Sequence, residues 1–479
     1  MIRGWCPSLF EPMASGDGML VRVKPRAGGM DADTLRGVAA AAARYGNGVV
    51  NLTGRANLQV RGLSERTLEG FAAAVLALGA ADADPAAERR RNVVVSPLAG
   101  DDPAVAAATL AVARALEAMV LEAMMLEAGL AAPGPASLDG LPGKFGFVVD
   151  GGGVAGLGPV RGDVVVRVAG TVCTVRVDGG GAGMVVEPGQ AAEAALALAR
   201  AFLALGGGRS GEGACDAGGV SRMRDLVAAR GEAAVFAAAA LPAGSGPDSV
   251  APPDAAAGPG RSGARHAQGL EHAGQQVGAI RYAGTDRGAF AAAPAFGQMD
   301  AAALHALAGL AERFGDARVR LSPWRTLLVG GVAARDLAAL GGACDALGLI
   351  VAAGDPRLAV ATCPGRPRCA SGEAATLQDA PVLAALLDGR RPGPVVHLSG
   401  CAKGCAHPGA AALVLVGEAG GYGVVRHGRA CDPPERRLAS VEAALAWAEG
   451  AWAEGDGTAS RPDVRDAGAG AAVAAWSAQ

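Results

Sequence analysis

The chain has no excess of positive charge: 43 lysines and arginines face 46 aspartates and glutamates, a formal charge of −3. No basic run is interleaved with aromatic residues, so the electrostatic footprint that nucleic-acid binding requires is missing. Long apolar runs are missing too. The most apolar helical stretch, 109–132, is interrupted by Arg114, Glu117, Glu122 and Glu127, and the first seven residues hold no continuous hydrophobic segment. Neither a membrane span nor a secretory leader is expected. Cysteine is sparse, with nine in 479 residues. That is far below the density of a disulfide-stapled secreted chain and implies a soluble protein of a reducing compartment, the cytoplasm. Aromatic residues make up only 4% while glycine numbers 74, so the cores are expected to rely on close approach of alanine- and glycine-rich elements. A chain this long should divide into several domains.

The few cysteines are not evenly spread. Cys6, Cys173, Cys215, Cys344 and Cys431 share no spacing, but Cys363 and Cys369 enclose five residues, Cys401 and Cys405 enclose three, and 31 residues separate the pairs. Four soft thiolates on two short loops suit a 4Fe-4S cubane, which takes one thiolate per iron. A structural zinc is the rival: its ligands usually stand two to four residues apart, which fits the second pair and not the first. Four ordinary buried thiols are the blander alternative, disfavoured by the Gly and Pro around them.

The chain repeats itself. With a constant offset of 269, Asp31 meets Asp300, Leu35 meets Leu304, Arg44 meets Arg313 and Gly46 meets Gly315. A capping aspartate opens an Ala/Leu helix at 31–45 and again at 300–314, and strand-like alternation follows at 49–60 and 319–329. Each unit is expected to run strand, helix, strand, helix, strand, an α+β half-domain present twice. The Pro-, Gly- and Ser-rich stretch 241–265 is expected to be a flexible linker. The full division is 1–85 and 266–353 for the half-domains, 86–240 and 354–450 for two α/β domains, and 451–479 for a frayed tail.

On the strand expected at 49–60, Arg55, Asn57, Gln59 and Arg61 fall at alternate positions and should share one face with Thr53. Arg22 and Arg91 in the first half, and Arg320 and Arg325 in the second, add guanidinium groups. So many forks facing one cleft call for a polyanion, best a polycarboxylate held by two-point contacts. Solvated edges or local ion pairs are the alternative for any single arginine. Two glycine-rich stretches, 151–156 and 206–211, fit GxGxxG, but the first precedes a β-run and the second follows a helix. Neither opens a helix that could hold a pyrophosphate, and the first is expected to be a hairpin turn.

Taken together, the two cysteine pairs, the RxNxQ stretch, the repeat and Lys144 in PGKFGF resemble the sirohaem-dependent nitrite and sulfite reductases. Within that superfamily the segments LTGRANLQVRG at 52–62 and HLSGCAKGCAHP at 397–408 are most similar to the precorrin-3B synthases of aerobic cobalamin synthesis. The resemblance covers nearly the whole chain outside the linker and tail. It implies a pseudo-twofold architecture of ferredoxin-like half-domains plus two α/β domains, one with the iron-sulfur cluster. It also implies oxygen-dependent hydroxylation of precorrin-3A at C-20 with γ-lactone closure. Precorrin-3A and dioxygen would be the substrates, and an external NADH-linked reductase or ferredoxin the electron donor.

The reductases carry a second lysine two residues after the one matching Lys144, where this chain has Gly146. A small anionic substrate loses a cation there. Sirohaem and precorrin-3A are both ringed by carboxylate arms, so charge matching alone leaves sirohaem-dependent sulfite or nitrite reduction open, and a non-catalytic iron-sulfur electron carrier is a third reading. Lys403, between two of the cysteines, is expected to tune cluster charge or to meet a propionate. The resemblance also implies a mononuclear non-haem iron. Glu11, Asp17, His397 and His407 have the right chemistry for it, but the sequence does not assemble them into a two-histidine, one-carboxylate set. No general acid or base is assigned.

Overall fold

The computed structural model describes residues 7–125, 138, 140–158, 160–208, 220–239, 250–251, 277–388, 395–407 and 409–453. The repeat is present element by element. Asp31 caps the helix Ala32–Tyr45 by accepting from Thr34 N, and Asp300 caps Ala301–Phe314 by accepting from Ala303 N. These helices are related by the same offset of 269, and so are the flanking strands.

Each half forms an antiparallel five-stranded sheet completed by the other. The first runs Met13–Ser15, Gly18–Val23, Leu58–Leu63, Val49–Leu52 and then Gln298–Asp300 from the second half. The second runs Gly278–Arg281, Arg287–Ala292, Leu327–Ala333, Arg318–Leu321 and then Gly29–Asp31 from the first. Exchanging edge strands covers an edge that would otherwise invite foreign pairing. One core results: Leu35, Val38 and Phe71 pack with Leu304, Leu307 and Val332, all at most 1% exposed. Burying such side chains stabilises by about 1.5–3 kcal/mol each.

Two expectations are corrected here. Each half runs three strands, helix, two strands, helix, and the stretch expected as one strand at 49–60 is a hairpin, with Val49–Leu52 antiparallel to Leu58–Leu63. Thr53 supplies the turn: its Oγ1 accepts from Arg55 N and Asn57 N, and Ala56 adopts φ 55°. In the second half Ser322 bonds Thr326 in the same way, and Arg325, the equivalent of Ala56, adopts φ 60°. A hydroxyl that bonds its own backbone mimics strand alternation in sequence while turning the chain. Arg55 and Asn57 therefore sit on a turn, and only Gln59 and Arg61 on the strand.

The remaining two sheets share one order. Val93–Val95, Phe147–Asp150 and Val164–Ala169 run parallel, followed by antiparallel Val172–Val177 and Gly183–Val186. Val360–Thr362, Val396–Ser399 and Ala411–Glu418 repeat that pattern, followed by Gly421–Gly428 and Arg436–Leu438. The helix Ala191–Ala204 is alanine-rich and buried on nearly all sides, the close packing expected from the composition. Phe147–Asp150 and Val164–Ala169 are parallel, so 151–156 begins a crossover and is not a hairpin turn. Asp150 stitches that loop by accepting from Gly152 N and Leu157 N. Of the expected linker 241–265, only Val250–Ala251 is described, and it forms an edge strand against Gly183–Met184; the rest lies outside the described residues, as do the tail beyond residue 453 and Cys6 and Cys215. Among the described residues no helix is long and apolar enough to cross a membrane.

Candidate functional site

The two cysteine loops leave the carboxyl ends of adjacent parallel strands, Cys363–Cys369 after Val360–Thr362 and Cys401–Cys405 after Val396–Ser399. That edge is where open α/β sheets place their ligands. Gly400 N donates to Cys363 Sγ at 3.2 Å. A Cβ on Gly400 would come 3.1 Å from Gly365 Cα and 3.4 Å from that sulfur, so the loops interlock. Burial pushes the Cys405 thiol pKa up, and the thiols of Cys363, Cys401 and Cys369 push it further. All four sulfurs thus share one electrostatic neighbourhood. Among the described residues no three His, Cys, Asp or Glu side chains converge tightly enough to hold a single ion. Four thiols on two interlocked loops, with a backbone N–H on one sulfur, suit a group that takes one soft thiolate per metal.

A cleft lies between the first half-domain and the first α/β domain, lined by Lys24, Arg55, Arg91, Lys144, Arg161 and Arg222, with Asn57 and Asn92. Among the described residues no carboxylate lines it. Arg55 donates to the Lys144 carbonyl at 3.2 Å, tying the hairpin turn to the loop that carries Lys144. Gly146 also lines the cleft; its φ is not positive, and the nearest atom to a built Cβ is 3.6 Å away. Neither backbone nor packing demands glycine there, and its effect is room. Arg91 is 2% exposed and held by Glu88 and the Lys24 carbonyl; Arg222 is paired with Asp163 and Arg161 with Asp178.

The structure thus brings together Arg55, Asn57, Arg91 and Lys144 of the residues expected from sequence. Lys24, Arg161 and Arg222 were missed. Lys24 continues the alternation from Arg22 and could have been found; the other two come from distant loops. Arg22 faces Gln59 Oε1 at 3.5 Å, and neither lines the cleft. Arg320 is held by Asp316, whose hydrogen bonds and charge outweigh burial and raise the arginine pKa. Lys403 is exposed and donates to Ser371 Oγ at 2.7 Å. Arg61 is clamped by Asp17 and Arg89 by Glu11.

One turn joins cleft and cysteines. Trp324 packs against Val148, a lining residue of the cleft, while its neighbour Arg325 donates to the Ala406 carbonyl at 3.1 Å, one residue past Cys405. Burial lowers the Arg325 pKa and the charge of Cys363 opposes that. Beside it His397 is fully buried, its ring 5.8 Å from that of His407, and Gly404 packs against it. Among the described residues neither His397 ring nitrogen has a hydrogen-bond partner. An orphaned buried polar atom costs about 1–3 kcal/mol, a second sign that a group absent from the polypeptide belongs here.

Burial, then the charges of His407 and Arg325, push the His397 pKa down to about 3. As pH falls below the ordinary histidine value, the unfolded chain gains a proton that the folded chain refuses. Metal-free protein should therefore lose up to about 1.4 kcal/mol of stability per pH unit below ~6.5, continuing toward pH ~3. Urea midpoints at pH 7 and pH 5 test this: the drop should be smaller in His397→Gln, and an equal drop would show that another group is responsible.

The nitrite/sulfite reductase ferredoxin-like half-domain matches twice, at residues 11–78 and 284–346. A solved structure, the NirA protein of Mycobacterium tuberculosis, is similar over 88% of this chain and 77% of that one, with TM-score 0.59 and 19% identity, which shows a common fold. A curated relative, the precorrin-3B synthase of a Sinorhizobium species, is 33% identical over 444 residues, covering 91% of this chain and 85% of the relative. On a nitrite/sulfite reductase fold, the chain belongs to the precorrin-3B synthase family.

Proposed function

We propose that the chain hydroxylates precorrin-3A at C-20 with dioxygen and closes the γ-lactone that prepares ring contraction. The observation that carries this reading is the cleft, lined among the described residues by basic side chains and no carboxylate, and joined by the 322–326 turn to the two cysteine loops. Arg55 and Lys144 hold carboxylate arms of the macrocycle, Asn57 lies at its rim, and Gly146 leaves space where a side chain would intrude, while the Asn92 amide N–H groups, taken by the Arg89, Gly143 and Phe145 carbonyls, shape the wall. Cys363, Cys369, Cys401 and Cys405 hold a 4Fe-4S cluster. When bound, that cluster supplies electrons singly, which triplet dioxygen requires. Arg325 offsets its negative charge, and the Gly400 N–H on Cys363 Sγ stabilises the thiolate. Reducing equivalents come from a separate NADH-linked reductase or ferredoxin. No two-histidine, one-carboxylate set is assigned for a mononuclear iron.

Anaerobic purification followed by an absorption spectrum and an acid-labile sulfide assay tests the reading. A broad brown shoulder with about four sulfides per chain and no sirohaem is expected. Stoichiometric sirohaem bands would transfer the cleft to a cofactor and make the protein a sulfite or nitrite reductase.

A further inference from the structure

Arg61, expected from the sequence to face a ligand, points at the loop that carries Cys369. Its Nε and one terminal nitrogen grip the Asp17 carboxylate at 2.9 and 2.8 Å. The same terminal nitrogen lies 2.7 Å from Ser15 Oγ and 2.8 Å from the carbonyl oxygen of Arg368. That oxygen also accepts from the Ser15 hydroxyl at 2.5 Å and from Gly16 N at 3.0 Å. Arg368 immediately precedes Cys369, whose own N–H donates to the Gly365 carbonyl at 2.7 Å. The approach is close enough that a Cβ on Gly16 would fall 2.1 Å from the Pro367 carbonyl oxygen.

We propose that Arg61 is a positioning residue for the cysteine cradle: with Ser15 and Gly16 it fixes the Arg368 carbonyl, and through it Cys369. Asp17 neutralises the guanidinium at bidentate distance, and at 1% exposure no face of it remains for a substrate carboxylate. The repeat supports this assignment. The position equivalent to Arg61 in the second half is Gly330, and there the corresponding loop is held by its Asp101 side chain, which accepts from Tyr282 and from Gly331 N. That loop carries no thiols, and the arginine is found only where the gripped loop does. The assignment rests on the cluster reading for its purpose, but its geometry and its first test do not.

The test is site-resolved alkylation of metal-free, full-length protein, followed by mass spectrometry. Arg61→Gln should speed alkylation of Cys369 about tenfold or more, the loss expected when a charged donor leaves a backbone acceptor. Cys173 and Cys344, buried in two separate cores, should keep their rates. Arg61→Lys, which can still reach one acceptor, should recover part of the protection. Gly16→Ala leaves the Arg61–Asp17 pair in place and should expose Cys369 by pushing the loop away. In reconstituted protein, Arg61→Gln should also speed chelator bleaching of the cluster by a similar factor. An unchanged Cys369 rate in both Arg61→Gln and Gly16→Ala overturns the proposal. Equal acceleration at Cys173 and Cys344 overturns it too, since Arg61 would then be a general stability residue. Failure of the wild type to take up iron would sink the cluster reading alone, and the thiol comparison would still decide the role of Arg61.

Discussion

Cys401→Ser is expected to abolish the cluster, reducing iron and acid-labile sulfide from about four per chain to near zero and erasing the brown absorption. The reason is geometric. Cys401 begins the loop that faces Cys363, and Gly400, one residue earlier, donates to the Cys363 sulfur. A serine there replaces a soft thiolate with a hard, neutral hydroxyl while leaving the strand Val396–Ser399 untouched. The fold should survive, because Leu398, Leu413 and Leu415 of that domain's core lie below the loops. Wild-type iron and sulfide in the variant would remove Cys401 from the ligand set. Zinc in place of iron in the wild-type protein would overturn the cluster altogether.

Sequence made the duplication legible because it is written in a fixed spacing, and the two short cysteine spacings fall on loops that the fold brings side by side. An offset of 269 survives from strand to strand. The hairpins were not legible: Thr53 and Ser322 bond their own backbones, and turn chemistry of that kind is indistinguishable from a strand's polar alternation until the left-handed residues Ala56 and Arg325 are seen. The exchange of edge strands was hidden because Gly29–Asp31 and Gln298–Asp300 are too short to carry a periodic signal. Arginine roles were the least legible. Arg61, Arg91 and Arg320 look alike in a list of guanidinium groups, yet each meets a protein carboxylate that sequence cannot place beside it. Arg161 and Arg222 reached the cleft from loops that nothing local connects to it.

That difference among arginines yields the second large effect. Arg55→Ala should weaken binding of the tetrapyrrole about ten- to hundredfold, with any cluster spectrum unchanged and the unfolding midpoint lowered only by the loss of its bond to the Lys144 carbonyl, since a charge-assisted hydrogen bond contributes about 1.5–3 kcal/mol. Lys144→Ala should act in the same range, and the two losses should fall short of additive, because Arg55 donates to the Lys144 backbone and holds that loop. Raising the ionic strength should shrink both effects, as expected for charges that meet carboxylates at an open cleft. Arg91→Ala lines the same cleft and should behave differently. Its removal strands Glu88, which is fully buried, and Glu117, whose pKa burial already raises against the pull of Arg91. Breaking such a buried pair costs about 3–5 kcal/mol, so Arg91→Ala should fail by unfolding rather than by affinity. Isothermal titration with a tetrapyrrole polycarboxylate, run beside urea unfolding of each variant, separates the two kinds of arginine. Unaltered affinity in both Arg55→Ala and Lys144→Ala would mean that the macrocycle binds elsewhere, and an Arg91→Ala protein of wild-type stability would show that Glu88 finds another partner.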